Sequence, residues 1–290
     1  MEIIVSLNKK ENLLSLQQLK ATHVLISDGY FSSGTASLSR SEIADFIDEA
    51  HRLNLKVMVR LDRLYDESEL SDLQEYLTFL NQRKADGLLF SDVGVKMLVE
   101  QNHFELQTLY APETLLTNSY DVTALREDGF GGCVVSKDIP LEDSYQIIND
   151  NPDYCYLRLF GPILLSYSKR HFISMYLDEE KEHRDDYYLQ EETRDLLMPM
   201  VEKEKGSWLY GNCLQSLDRI KEIYQLPLKG VLFDGIIYDD EFVLTALKTH
   251  IEVLNDKISA EEALQSLEKQ ECKAVFSSIS EIRKTSLNKE

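Results

Sequence analysis

Cysteine is scarce. Four residues in 290, Cys133, Cys155, Cys213 and Cys272, lie far apart with no Cys-x-x-Cys pair. That spacing argues against a zinc ribbon or a dense disulfide framework, and reduced thiols are the expectation. Glycine and proline are also few, 12 and 6, which excludes collagen-like and low-complexity chains. No apolar run approaches the roughly 20 residues that a bilayer span needs. Met1 to Lys10 has no basic region followed by an apolar core and cleavage site, so a cytoplasmic location without membrane contact is expected. Positive charge is outnumbered, with 31 Lys and Arg against 51 Asp and Glu and a net charge of -20. Such a chain repels a phosphate backbone unless its bases are segregated into a stripe, and none is visible. The six histidines, His23, His51, His103, His171, His183 and His250, include no i, i+4 pair. No HExxH or GxSxG motif is present, so neither a helical metal pair nor a nucleophile with a local base can be named, and no metal is expected.

What is present is a globular chain, 43% apolar, with a repeating rhythm. Short β-rich runs alternate with longer stretches of helical spacing. Eight strands are predicted, at Ile3 to Leu7, His23 to Asp28, Leu55 to Leu61, Gly87 to Ser91, Leu106 to Tyr110, Cys133 to Ser136, Tyr154 to Phe160 and Gly230 to Ile237. Helices are predicted over Ser41 to Asn54, capped by Ser39 or Ser41, and over Ser68 to Arg83, capped by Ser68. Eight βα units fit a (β/α)8 barrel of the TIM type over residues 1–255. An open doubly wound sheet is the competitor, but Leu7-Asn8-Lys9-Lys10 stands where a glycine-rich phosphate loop would be needed. The rhythm breaks between Gly161 and Gly230, so an α-rich or irregular insert, at about 178–210, is expected between the last two strands as a subdomain or lid. Asp178 to Asp195 holds nine acids and three bases. Residues 256–290 read as a polar, partly helical tail, with a capped start at Ser259 and Glu262 and a frayed end from Thr285.

In such a barrel the chemistry gathers at the carboxyl ends of the strands. Asp28, Asp62, Asp92, Glu113 and Asp234 fall there, on five different strands. They can supply acid and base roles or bind a cation, whereas an Asp after a strand more often caps the next helix or pairs with a neighbouring Arg. Asp62, Glu113 and Asp234 are the candidate catalytic groups. Along β-residues 55–62 the period of two sets Met58, Arg60 and Asp62 on one face. With Val57, Val59 and Leu61 facing the helices, Arg60 points inward and must meet Asp62, Asp28 or an anionic ligand. Ser32-Ser33-Gly34 reads as a flexible loop. The segment from Phe160 to His171 then places Lys169, Arg170 and His171 near the mouth of an acidic protein, where local positive charge focuses small anions. Its plainer alternative is a set of solvated bases at a helix end.

In this segment Gly161, Tyr167, Ser168, Arg170, Ser174 and Tyr176 fit a pattern of a glycine after a strand, a Tyr-Ser-x-Arg run and a serine before an aromatic residue. The chain here resembles peptidase family U32, the collagenase-like proteases. Asp28-Gly29-Tyr30, Glu75 to Leu80, Glu113 with Thr117-Asn118, Asn212-Cys213-Leu214 and Phe233-Asp234-Gly235 follow in the family's order, so the resemblance covers most of residues 1–255. Leu164 and His171 stand where cluster-binding members have cysteines, and Leu232 replaces a usual Lys. The resemblance therefore implies no iron–sulfur cluster and no other cofactor. It points to a short, cluster-poor branch that accompanies a longer, cysteine-bearing relative in prephenate-dependent formation of 5-hydroxyuridine at the tRNA wobble position. By that resemblance tRNA is reached indirectly through the partner, and Arg60, Asn118, Tyr167, Ser168, Arg170 and His171, with Lys137 and Arg158, are candidates to hold a small anion. The alternatives are true proteolysis and a non-catalytic scaffold for the relative; whether the chain is itself an enzyme is left open.

Overall fold

The computed structural model describes residues 1–33, 38–177, 187–190, 192, 197–271 and 274–282. Seven strands in sequence, β1 (Glu2–Ser6), β2 (His23–Ile26), β3 (Lys56–Leu61), β4 (Gly87–Phe90), β5 (Gln107–Tyr110), β6 (Gly132–Val134) and β7 (Cys155–Ser168), pair in parallel, each with the next. The ring closes through β11 (Gly230–Phe233), which pairs in parallel with both β7 and β1. This is a closed eight-stranded (β/α)8 barrel of the TIM type. All eight predicted strands are found, most within one or two residues of their expected ends; the main exception is β7, which runs eight residues further.

The helices between strands are α1 (Leu13–Gln18), α2 (Arg40–Arg52), α3 (Leu70–Gln82), α4 (Val93–Gln101), α5 (Ser119–Glu127) and α6 (Leu141–Asp150). Ser39 caps α2 in a reciprocal box with Glu42, and Ile43, Phe46, Ile47 and Ala50 form its buried stripe. Before α3 the cap is Asp66, not the expected Ser68: Asp66 and Glu69 box a short 3-10 turn, Glu67–Glu69. An acid is the better acceptor for the unpaired N–H groups at a helix start.

Strand alternation sorts the core into two layers. Val57, Val59 and Leu61 join the large cluster between sheet and helices. Ile4, Leu25, Met58, Leu89, Leu109, Val134, Tyr156 and Leu232 fill the barrel's inside. Burial of this kind is worth about 25 cal/mol per Å² of apolar surface, so closure is driven by both layers together.

The connection from β7 to β11, expected as helical or irregular, is largely antiparallel sheet among the described residues. Beyond Gly161, β7 leaves the barrel and pairs with β10 (Gly206–Gln215). β9 (Leu197–Lys203) pairs with β10, and β8 (Tyr187–Gln190) with β9. The short helix α7 (Phe172–Tyr176) follows β7. Most of the acidic run from Asp178 to Asp195 lies outside the described residues. After β10 come α8 (Ile220–Ile223) and, past β11, α9 (Asp240–Leu254). The stretch after residue 255 forms α10 (Ala260–Gln270), boxed by Ser259 and Glu262 as expected, then β12 (Phe276–Ser278), parallel to β10, and α11 (Ile279–Ile282). Thr285 to Glu290 lie outside the described residues.

Candidate functional site

Two residues past an inward-facing apolar side chain, each strand points inward again. On three strands that next inward position is charged. Above Met58 stand Arg60 and Asp62, above Tyr156 stands Arg158, and above Leu232 stands Asp234. On β5 the step passes through Ala111 to Glu113. The barrel's apolar floor thus carries a charged layer at its mouth.

These charges form one chain. Glu113 accepts from both terminal nitrogens of Arg158, at 2.5 and 3.2 Å. Arg158 lies 3.7 Å from Asp234. Asp234 accepts from Arg60 at 2.5 Å, and Arg60 donates to Asp62 at 3.1 Å. Asp62 finally accepts from the Ser33 N–H at 2.8 Å and the Ser33 hydroxyl at 2.5 Å. Signs alternate along the chain, so each buried charge is compensated by a neighbour. Burial alone would raise the Asp234 carboxyl, but Arg60 and Arg158 hold it below the usual carboxylate range. Arg60 is likewise fixed in its charged form: its two acids outweigh the effect of burial. The Nε atoms of Arg60 and Arg158 are buried and have no acceptor among the described residues. A void of about 10 Å³ beside Arg158, Glu113 and Lys137 has room for roughly one water.

Two backbone features hold this layer in place. Glu113 has a φ of +64°, at the centre of a one-residue turn closed by the Thr114 N–H on the Pro112 carbonyl at 2.8 Å. Turns of this kind are rare and strained for a residue with a side chain. Gly161 has a φ of +133°, and a Cβ there would lie 1.9 Å from the Asp234 carbonyl oxygen. Only glycine lets β7 pass so close to the strand end that carries Asp234.

Beside the chain opens a cavity of about 370 Å³. Asp62, Glu113 and Ser91 give it a polar side, and Tyr110, Leu165 and Tyr167 part of its apolar wall. Tyr167 is stacked on Trp208 with ring centres 4.9 Å apart, and its hydroxyl donates to the Lys205 carbonyl at 3.3 Å.

The sequence-predicted residues therefore divide. Asp62, Glu113 and Tyr167 share the cavity, and Arg60 and Asp234 lie in the charge chain beneath it. Arg60 meets Asp62 and Asp234, and not Asp28. The plainer alternatives are met by Asp92, which caps α4, and by Asp62 and Asp234, which pair with Arg60; Asp28 accepts from the N–H groups of Tyr30 and Phe31 in the loop after β2. Asn118 caps α5, its side-chain oxygen accepting from the Asp121 N–H at 3.0 Å. Lys137 pairs with Asp138 at 3.0 Å. Ser168, Arg170 and His171 lie further along, at the tip where β7 turns into α7. There the Ser168 hydroxyl accepts from the Arg170 N–H, Arg170 is exposed, and His171 donates to the Glu204 carbonyl at 3.0 Å. Ser32 and Ser33, read as a flexible loop, are buried, and Ser33 is fixed on Asp62.

Sequence reasoning missed the cluster around Glu69. Arg63 donates to it twice, at 3.0 and 3.1 Å. Lys205 and Lys169 from the β extension approach it to 3.3 and 3.6 Å, and Lys169 also pairs with Asp66 at 2.7 Å. Burial would raise the Glu69 carboxyl, but Arg63 and its other partners bring it down to about 2. The extension is thus tied across the β3 side of the mouth. No local signal joins residues 63–69 to 169 and 205, since only the hairpin brings them together.

Among the described residues, no group of three or more His, Cys, Asp or Glu side chains is arranged to hold a metal ion. No helix of the described residues is long and apolar enough to cross a membrane.

A closed (β/α)8 barrel with a charged, partly roofed mouth at the carboxyl ends of its strands has the form of a ligand-binding or catalytic barrel. Comparison with known sequences places it further. A sequence model of peptidase family U32 matches residues 10–286, and the chain belongs to that family. It is 22% identical over 264 residues to tRNA hydroxylation protein P2 of Bacillus subtilis (strain 168), covering 88% of this chain and 85% of that protein. It is 24% identical over 209 residues to tRNA hydroxylation protein P of Haemophilus influenzae, covering 69% of this chain but 42% of that longer protein. A 23S rRNA 5-hydroxycytidine C2501 synthase of Escherichia coli matches over 146 residues at 23% identity, half of this chain and 22% of that protein. Among solved structures, a U32 peptidase superposes with a TM-score of 0.46 at 13% identity, over 55% of this chain and 69% of that one.

Proposed function

We propose that this protein acts in forming 5-hydroxyuridine at the wobble position of tRNA, as an accessory subunit beside a longer, cysteine-bearing member of the family. The observation that carries the reading is the match, over most of both chains, to a relative named as a tRNA hydroxylation protein. The charge of -20 supports assigning most of the RNA contact to the partner, because phosphate binding draws on clustered cations. The resemblance to the prephenate-dependent branch assigns a small anion to the mouth. In support, Arg60 and Arg158 each keep one buried N–H without an acceptor, although their terminal nitrogens are already held by carboxylates. A cytoplasmic location belongs to the same reading.

The protein works, in this proposal, without an iron–sulfur cluster. Such a cluster draws on about four thiolates. Leu164 instead packs against Trp208 and Tyr210, His171 holds a backbone carbonyl, and Cys133, Cys155 and Cys213 are buried in the core. Proteolysis finds less support. Of the serines at the mouth, Ser33 donates its hydroxyl to Asp62, which Arg60 also holds, and Ser91 donates to the Ala111 carbonyl at 2.7 Å, so neither hydroxyl is paired with a free base.

The deciding experiment removes the gene, together with any paralogue of overlapping function, and quantifies 5-hydroxyuridine-derived nucleosides in tRNA by mass spectrometry. Their loss, with recovery on re-expression, is expected. Unchanged levels overturn the reading.

A further inference from the structure

Apolar side chains that line a cavity are normally shielded from water by the cavity's own walls. Three leucines at the mouth are not. Leu64 follows β3, Leu115 follows β5 and Leu165 lies on the outer part of β7, and all three line the cavity of about 370 Å³. They are 52, 57 and 51% exposed, on separate elements that only the closed barrel brings together. Surface leucines scattered singly need no explanation, but apolar side chains gathered round one opening mark a surface that meets another molecule.

The walls of this opening are already set. Tyr167 is held by its stacking on Trp208 and its bond to the Lys205 carbonyl, and Ser91 by its bond to the Ala111 carbonyl at 2.7 Å. The charged side chains of the lining, Asp62 and Glu113, are both acids. Glu113 takes two hydrogen bonds, both from Arg158, where a carboxylate has about four acceptor sites, and its side chain is 20% exposed. Along the charge chain three carboxylates meet two guanidinium groups, which leaves acceptors in excess. An apolar ring around an acidic floor complements a basic side chain flanked by apolar ones. The centres of protein interfaces have this form, with an arginine in a pocket and near-neutral contacts around it that exclude water. A phosphate backbone, by contrast, meets acids of its own sign here. The cavity is at the small end of ligand pockets, with room for roughly one or two side chains.

We propose that the mouth is a docking pocket for the longer, cysteine-bearing relative, which seats a lysine or arginine side chain, flanked by apolar residues, against Glu113 and Asp62. The inference rests on the accessory-subunit reading and adds to it the surface and the chemistry of the contact. The seated base lies above the guanidinium groups to which that reading assigns an anion.

The test uses the full chain and the cysteine-bearing relative of the same organism, both purified, with the dissociation constant measured by isothermal titration calorimetry at low and at high salt. Leu115→Asn combined with Leu165→Asn is expected to weaken the complex by at least about tenfold, the effect of losing central interface contacts. Leu14→Asn, at an equally exposed leucine on α1, should leave it unchanged. Glu113→Gln should weaken the complex and also flatten its salt dependence, which a purely steric role would not do. Thermal midpoints of the leucine variants should match that of the unaltered protein, because the replaced side chains are exposed; if Glu113→Gln unfolds, the salt dependence of the unaltered complex carries the charge argument instead. A complex indifferent to the leucine pair, or one whose affinity does not fall with salt, overturns the proposal. So does an intact protein complex whose tRNA binding alone is lost in the leucine variants, which would make this face an RNA contact. Absence of any complex overturns it as well, while the nucleoside measurement above still decides the hydroxylation reading on its own.

Discussion

Arg60 shows how one residue decides the character of the mouth. It is 2% exposed and held by two acids, so losing Asp234 removes its shorter charged hydrogen bond and leaves it Asp62 alone. Asp234→Asn is expected to cost about 1.5–3 kcal/mol, read as a lower midpoint in urea unfolding, whereas the double change Arg60→Met with Asp234→Leu should recover most of the loss. A double variant as unstable as the single one would contradict this account. Asp234 also sets a pH dependence. Its folded carboxyl lies below the unfolded range, so its contribution is complete above roughly pH 4 and is lost as pH falls through the folded value. His250 works in a higher window. Its ring is buried, with Nδ1 donating to the Ala246 carbonyl at 2.7 Å and Nε2 accepting from the Ser216 N–H at 3.4 Å, the pattern of a neutral imidazole. Burial takes it down to about 4. With the unfolded value near 6.5, stability is complete above that pH and falls between there and about pH 4, by up to about 3 kcal/mol. Unfolding free energies measured across pH 7 to 4 should show the decline, and His250→Gln should flatten it.

At the scale of elements, Gly161 is the point where one strand changes sheets. Gly161→Ala sets a methyl group against the Asp234 carbonyl at a φ that side chains rarely adopt. A loss of more than about 3 kcal/mol, or no folded protein at all, is expected, set against a control such as Gly129→Ala. At Gly129 φ is also positive but a Cβ meets nothing within 4 Å, so the cost should stay near 1 kcal/mol. A mild Gly161→Ala variant, with an unshifted thermal midpoint, would show that the strands can separate there. The eight barrel strands were legible because buried parallel strands are short β-branched runs, as in Lys56–Leu61, and Arg60 could be placed inside the barrel by counting in twos. The β extension was not legible. Its strands mix charges, a proline and glycines, as in Leu197–Lys203, and their partners are fixed by pairing with β7. Asp62 and Asp234 were found because strand ends are predictable, while Asp92 looked the same in sequence and turned out to be a cap. Nothing in a linear reading separates an acid that faces the barrel axis from one that faces the next helix start.

Over the whole molecule, 20 more acids than bases surround a mouth whose own charges nearly cancel. Alone, the protein is expected to bind unmodified tRNA weakly and without a steep salt dependence. Affinity should appear when the cysteine-bearing relative is added, as measured by filter binding of each protein and of the mixture, and the two should co-purify. Tight binding by this chain alone would reverse the division of labour proposed above. Purified protein analysed for iron and acid-labile sulfide should contain neither in stoichiometric amount.

β7 is continuous from Cys155 to Ser168, with Arg158 near one end, Tyr167 near the other and the glycine between them. A protein gripping its outer arm would therefore touch the same strand that carries the guanidinium, without entering the barrel.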